Sequence, residues 1–341
     1  MDKQNFYNYT IKNLQELLIT NNFKKFNADQ IFKWVYEKNV TNPEAMTNIS
    51  KPLRKFIREY FVFKDFELFT RQIGSDGTEK FLFKLIDGHV IETVVMKYDY
   101  GLSICVTSQV GCSMGCSFCA SGLINKQRNL KVYELVLQII SVQNIIDEKL
   151  SNVVVMGTGE PFDNYNNVLD FIRIINYKQG LQIGSRHITV STCGIIPRIY
   201  DYAKEPIKSN LAISLHAANN ELRSKIMKIN KTYPLEDLIK ACKEYTEISG
   251  RRITFEYILL KGLNDSLKDA NELSDLIRGI NAYVNLIPYN PVNEFGYEKT
   301  DPVKAYKFYK QLDKRGINCT LRRELGSDID AACGQLRLKN N

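Results

Sequence analysis

From Leu102 onward the chain alternates six times between a short β-rich run and a helical segment. SICVTSQV, NVVVMGTG, RHITVST, NLAISLHA, RRITFEYILL and YVNLIPYN each precede such a segment, with helices expected near Val132 to Ile146, near Asn166 to Tyr177 and just after Pro197. Parallel strands need crossover connections, so repeated β-α units admit a parallel sheet covered by helices and little else. Six units are too few to close an eight-stranded barrel. The expected α/β fold is therefore a partial (β/α)6 TIM-like barrel, ended by the strand NCTLRRE, with its functional groups at the C-terminal ends of the strands. Gly159, Glu160, Ser191, Thr192, Ser214, His216 and Asn290 fall there.

Upstream, FELFTRQI, KFLFKL and HVIETVVM are separated by the turn signals SDGT and DGH, which predicts antiparallel hairpins over 65–98. Residues 1–64 read as a small helical domain, 99–328 as the barrel and 329–341 as a tail. The formal charge is +8, and residues 1–64 hold eleven Lys or Arg against six Asp or Glu. Lys24, Lys25, Lys33, Lys38, Lys51, Arg54, Lys55 and Arg58 interleave with Phe32, Trp34, Tyr36, Phe56 and Tyr60, as a phosphate-contacting surface with stacking platforms would. The helical spacing of Leu14, Leu17 and Leu18, and of Ile31, Val35 and Tyr36, equally fits a small core with solvated lysines outside. No apolar stretch approaches the roughly 20 residues of a membrane span. The start MDKQNFYNYT lacks a signal-peptide pattern, so a cytoplasmic setting with reduced thiols is expected.

In that setting eight cysteines imply metal or redox work. Cys112, Cys116 and Cys119, in GCSMGCSFCAS, have the spacing C-x-x-x-C-x-x-C. Three thiolates can hold three irons of a 4Fe-4S cube and leave the fourth open to a small molecule with amino and carboxylate groups. An open iron can bind S-adenosylmethionine and pass an electron to its sulfonium, so the motif predicts radical chemistry. A structural zinc site would pair a second C-x-x-C or add His ligands, and the three His are not close in sequence to the triad.

With this triad, MGTGEP, ITVST, AISLHA, LIPYNP and DIDAACGQL in order, the sequence resembles the RlmN/Cfr family of radical S-adenosylmethionine RNA methyltransferases over about residues 89–336. The resemblance implies one 4Fe-4S cluster on Cys112, Cys116 and Cys119, and two S-adenosylmethionine molecules per turnover. It assigns Cys333 as the cysteine that carries the methyl group, Cys105 as the resolving cysteine forming a transient disulfide with it, and Glu92 as proton acceptor. Gly159, Glu160, Ser191, Ser214, Leu215, His216 and Asn290 are expected to contact S-adenosylmethionine. Carbon 2 of adenine is electron-poor and cannot attack a sulfonium, which is why the family routes the methyl through a cysteine and a radical.

The prolines of GEP and LIPYNP match the carbon-2 branch, which makes 2-methyladenosine in 23S rRNA at the peptidyl-transferase centre and in tRNA beside the anticodon. The alternative is the antibiotic-resistance branch acting on carbon 8. Thr158 and Lys228 depart from the family pattern at positions without a chemical role. A radical activase would need neither Cys105 nor Cys333, and a simple electron carrier would need neither GEP nor an open iron. A flavodoxin-like electron donor and a monomeric state are further implications, and Cys193, Cys242 and Cys319 are expected to be structural.

Overall fold

The computed structural model describes residues 3–336; residues 1–2 of the expected helical domain and 337–341 of the expected tail lie outside them. Strand β1 (Gln4–Asn5) leads into three helices, α1 (Ile11–Thr20), α2 (Asn27–Phe32) and α3 (Lys51–Tyr60), and β1 pairs in parallel with β2 (Phe61–Val62). The apolar positions at helical spacing turn inward. Leu14, Leu18, Ile31, Phe32, Val35 and Tyr36 are buried, with Phe6 at the hub of an aromatic cluster that includes Phe32, Tyr36 and Phe61. Lys24, Lys25, Lys33, Lys38, Lys51, Lys55 and Arg58 are exposed. Arg54 differs from the expectation. Its guanidinium donates to the carbonyls of Ile49, Glu44 and Thr47 and ties the α3 entry together instead of facing outward.

The hairpins are β3 (Glu67–Ile73), β4 (Glu79–Lys84) and β5 (Val90–Tyr98), and β5 runs antiparallel to β6 (Gly101–Cys105). The hairpin segment is thus continuous with the barrel sheet. The run Ser103 to Val110 breaks after Cys105 and resumes as β7 (Gln109–Val110), paired with β8 (Arg128–Asn129). A buried glutamine causes the break. Gln138 of α4 (Val132–Ile146) accepts from the Thr107 N–H at 2.8 Å and donates to its carbonyl at 2.9 Å, so these groups are satisfied away from the ladder.

Then follow β9 (Asn152–Val155), α5 (Tyr165–Asn176), β10 (Ile188–Thr192), α6 (Ile196–Ala203), β11 (Asn210–Ser214), α7 (Asn220–Ile226) and α8 (Leu235–Ser249). The barrel ends with β12 (Ile253–Leu259), α9 (Leu267–Leu276), β13 (Ala282–Pro288), α10 (Pro302–Lys314) and β14 (Cys319–Leu321). One ten-stranded sheet results, in the order β14-β13-β12-β11-β10-β9-β6-β5-β4-β3, parallel from β14 to β6 and open at both edges. This is the expected partial barrel of six β-α units plus a closing strand.

Residues of one parity on each strand pack under the helices, as Val284 and Leu286 do, while the other parity lines the interior. Ser214, Glu256, Asn285 and Thr320 fall in register across four adjacent strands and place a polar row there. Arg223 of α7, fully buried, fastens the strand ends. It donates to the carbonyls of Leu215, Cys193 and Ser214 and to the Asn230 side chain. Arg223→Met would strand those acceptors in the core, and a loss of roughly 3 kcal/mol, read from the urea unfolding midpoint, is expected.

Candidate active site

The β7–β8 pair closes a loop that carries the three motif cysteines. The Cys112 N–H donates to the Ile124 carbonyl at 2.9 Å, the Cys119 N–H to the Cys116 carbonyl at 3.2 Å, and the Ser117 N–H to the Ile226 carbonyl at 3.0 Å. Gly111 enters this loop at φ +75°, and a Cβ there would lie 2.4 Å from the Asn125 carbonyl oxygen, so a side chain would force the loop open.

Cys112, Cys116 and Cys119 face one cavity of about 170 Å³, together with Gly159, Glu160, Ser191, Ser214 and His216. Burial pushes the Cys112 thiol up to about 11 and raises Cys116 and Cys119, and the cysteines in this loop oppose one another's ionisation. Among the described residues no three His, Cys, Asp or Glu converge as a single metal ion requires. Three thiols spread round one cavity fit a cube, in which each binds a different iron and the added positive charge relieves their mutual repulsion.

The loop after β9 forms the facing wall. Gly159 has φ +109°, and a Cβ on it would stand 2.6 Å from Gln109 Cβ, so the chain passes Gln109 only as glycine. Gln109 Oε1 accepts from the Glu160 N–H at 2.9 Å. The Glu160 carboxylate accepts from the N–H of Phe162 and of Cys193 at 2.9 and 2.8 Å, while burial raises its pKa. His216 accepts at Nδ1 from the Ile258 N–H at 3.0 Å, and burial lowers its pKa to about 3. The ring is therefore neutral with its proton on Nε2, and toward a ligand it acts as a donor. Leu215 is wholly buried and lines neither cavity.

A second cavity of about 580 Å³ adjoins the first and holds Cys105, Asn290, Tyr98 and Tyr100. Cys119, Met156, Glu256, Arg322 and Cys333 line both. Cys333 reaches this junction because the tail is fastened at several points. The Gly326 N–H donates to Asp76 Oδ2 and the Ser75 N–H to Asp328 Oδ2, each at 2.8 Å. Further along, the Ala120 N–H donates to the Gly334 carbonyl at 2.8 Å, and Ser121 Oγ to the Leu336 carbonyl at 3.0 Å. Asn290 donates to the Cys333 carbonyl at 3.5 Å, so it holds the tail itself.

All eight cysteines are free thiols, and the expected Cys105–Cys333 disulfide is not formed. The two thiols nonetheless share the larger cavity; burial first, then Cys333, pushes Cys105 up to about 12. Glu92 is buried on β5, paired with Lys80 at 3.6 Å, two residues before Val94, which does line the cavity. Glu92 itself does not. Lys80 Nζ also donates to the Asp330 carbonyl at 3.4 Å, linking Glu92 to the tail.

Glu256 and Arg322 went unnoticed in the sequence reading. Glu256 is only 4% exposed; its Oε1 accepts from Asn285 at 2.9 Å, while the buried Oε2 has no partner among the described residues. Arg322 Nη1 lies 3.8 Å from Cys333 Sγ, and its pKa is raised, first by Cys333 and also by Glu256. A lone carboxylate inside RRITFEYILL and a cation inside the strand NCTLRRE were the available signals.

Residues 106–273 match the radical SAM superfamily, and residues 4–62 match the ribosomal RNA large subunit methyltransferase N-terminal domain. A protein of Staphylococcus carnosus, named a probable dual-specificity RNA methyltransferase RlmN, is 52% identical over 99% of this chain and 94% of its own. The chain belongs to the RlmN family. A Listeria monocytogenes member with the same name is 54% identical over 99% of this chain and 95% of its own. The crystal structure of a radical SAM methyltransferase from Sphaerobacter thermophilus superposes with a TM-score of 0.91 at 40% identity, covering 98% of this chain and 99% of that one.

Within this RlmN-family site the two unpaired thiols differ in access, and Cys105 is held as a thiol. At pH 7.5 iodoacetamide should label exposed Cys333 well before Cys105. Because Cys105 ionises only near pH 12, its labelling should accelerate about tenfold per pH unit, followed by peptide mass spectrometry.

Proposed function

We propose that the protein is a radical S-adenosylmethionine methyltransferase forming 2-methyladenosine in 23S rRNA and in tRNA, with Cys333 carrying the methyl group. The observation that carries this reading is the position of Cys333 at the junction of two cavities, one beside the motif cysteines and one beside Cys105. A methyl carrier needs that access on both sides. The donor set supports the cofactors: three thiols in one cavity for a 4Fe-4S cluster, and the unpartnered Glu256 Oε2 and the His216 Nε2–H as groups for an adenosine-bearing ligand.

When bound, the cluster and S-adenosylmethionine supply the methyl group and the one-electron chemistry that activates it. The chain's own residues do the rest. Gly159 gives close backbone approach, and Glu160 offers its remaining lone pairs to an ammonium. Ser191 and Ser214, whose hydroxyls are 3.5 Å apart, face the same cavity and suit ribose or carboxylate oxygens. Arg322 holds the Cys333 sulfur. Glu92, on the face of β5 that carries Val94 but behind the cavity wall, takes the proton lost from the base through a relay. The Cys105 thiolate then attacks the Cys333 sulfur, so that the S–S bond forms as the S–CH2 bond breaks and its electron pair, with a proton, completes the methyl group on the base.

The exposed lysines of the N-terminal helices hold folded RNA by its phosphates while an unstacked adenine enters the larger cavity. No helix among the described residues is long and apolar enough to cross a membrane. A cytoplasmic monomer receiving electrons from a flavodoxin-like protein completes the reading.

Mass spectrometry of digested RNA from cells with and without the gene should show 2-methyladenosine only when the gene is present. Finding 8-methyladenosine instead would move the protein to the carbon-8 branch, and finding neither would refute methylation. Cys333→Ala should abolish the product while leaving the cluster absorbance intact. Cys105→Ala should instead accumulate a covalent protein–RNA adduct, visible as a band shift that ribonuclease removes.

A further inference from the structure

The larger cavity has an aromatic wall that the roles above do not use. Tyr98 closes β5, and Tyr100 follows it in the turn into β6. Their rings are parallel, with centroids 4.9 Å apart and planes 7° from each other, and both line the cavity that holds Cys105 and Cys333.

The inner ring is anchored. Tyr98 is near enough to Arg322 to raise its pKa, and its hydroxyl donates to Met96 Sδ at 3.6 Å. The outer ring is not: Tyr100 is 69% exposed, covered by Tyr98 on one face. An exposed ring contributes little to the core. A fixed two-ring stack ending at a cavity mouth is, however, what an unstacked base needs to replace its lost neighbours.

The charge around it suits nucleic acid. Arg322 and Arg323 line the same cavity, and Lys97 and Arg323 are exposed. The acidic neighbours are Asp99 in the turn, Glu324, which is ion-paired with Lys299, and Glu256 deeper in the cavity, where Asn285 donates to it. Because the target adenine must reach Cys333 and Cys105, the base resting on the outermost ring is the one beside it in the strand.

We propose that the Tyr98–Tyr100 stack is a platform for the RNA base flanking the target adenine, with Arg323 and Lys97 meeting the backbone phosphates. The proposal rests on the RNA methyltransferase reading. Tyr100→Ala should raise the RNA KM about tenfold, with kcat and S-adenosylmethionine affinity unchanged. Tyr100→Phe and Tyr100→Trp should keep the KM, since a ring and not the hydroxyl is required.

RNA carrying 2-aminopurine beside the target adenine reports stacking directly. Its emission should be quenched on binding the reconstituted wild-type enzyme and Tyr100→Trp, but not Tyr100→Ala. Unchanged quenching and KM in Tyr100→Ala would overturn the platform, as would a Tyr100→Phe defect equal to that of alanine. If wild-type enzyme forms no methyladenosine in RNA, the functional reading fails instead, and the two failures are told apart.

Discussion

Cys333 sits eight residues from the end of the chain, yet its sulfur has to stand inside the mouth of a barrel formed by residues much earlier in the sequence. The tail's attachments bring it there. The Asp76 carboxylate in the β3–β4 turn accepts from the Gly326 N–H and the Asp328 carboxylate in the tail from the Ser75 N–H, Lys80 reaches the Asp330 carbonyl, and the loop of the motif cysteines donates to the carbonyls of Gly334 and Leu336. Each attachment is modest, about 1 kcal/mol net for a neutral pair and more where a carboxylate accepts. Together they fix one sulfur between two cavities. The antiparallel hairpins therefore do more than widen the sheet, since the tail docks on them.

The barrel accepts a polar interior because its sheet is open and its other face is buried. Residues such as Val284, Leu286 and Phe255 carry the packing against the helices, which leaves the inward parity free to hold Ser214, Glu256, Asn285 and Thr320. A buried carboxylate with one bare oxygen is costly in a finished core. Its persistence at Glu256 is understandable where a ligand with N–H or O–H groups is to arrive. Arg223 supplies the matching rigidity, donating to carbonyls at the ends of β10 and β11.

Much of this was legible in the chain. The helix expected near Val132 to Ile146 forms over those residues, and the six β-α units, the closing strand and the three hairpin strands stand where their patterns put them. Local periodicity records such elements well. It does not record where a buried side chain from elsewhere captures the backbone, so the break that Gln138 imposes at Thr107 was missed. Nor does it separate a solvated arginine from one folded back on carbonyls, as with Arg54. In the site, motif spacing located Cys112, Cys116, Cys119, Gly159 and Glu160 on one cavity, whereas Leu215 and Glu92 proved to lie off the walls. The inward register that puts Glu256 on both cavities became visible only with the strands paired.

The two working thiols are chemically unequal, and under the proposed function that inequality sets the order of events. Cys333 is exposed beside the Arg322 guanidinium, at the junction of the two cavities. Cys105 is held protonated by burial, and a thiol is a poor nucleophile compared with its thiolate. A resolving cysteine that ionised readily would compete with Cys333 for the sulfonium methyl group, displacing the thioether leaving group itself, and a methylated Cys105 could no longer release the product. Keeping Cys105 as a thiol until the base adduct occupies the cavity and alters its surroundings avoids that loss. The same burial that makes it sluggish therefore serves the cycle.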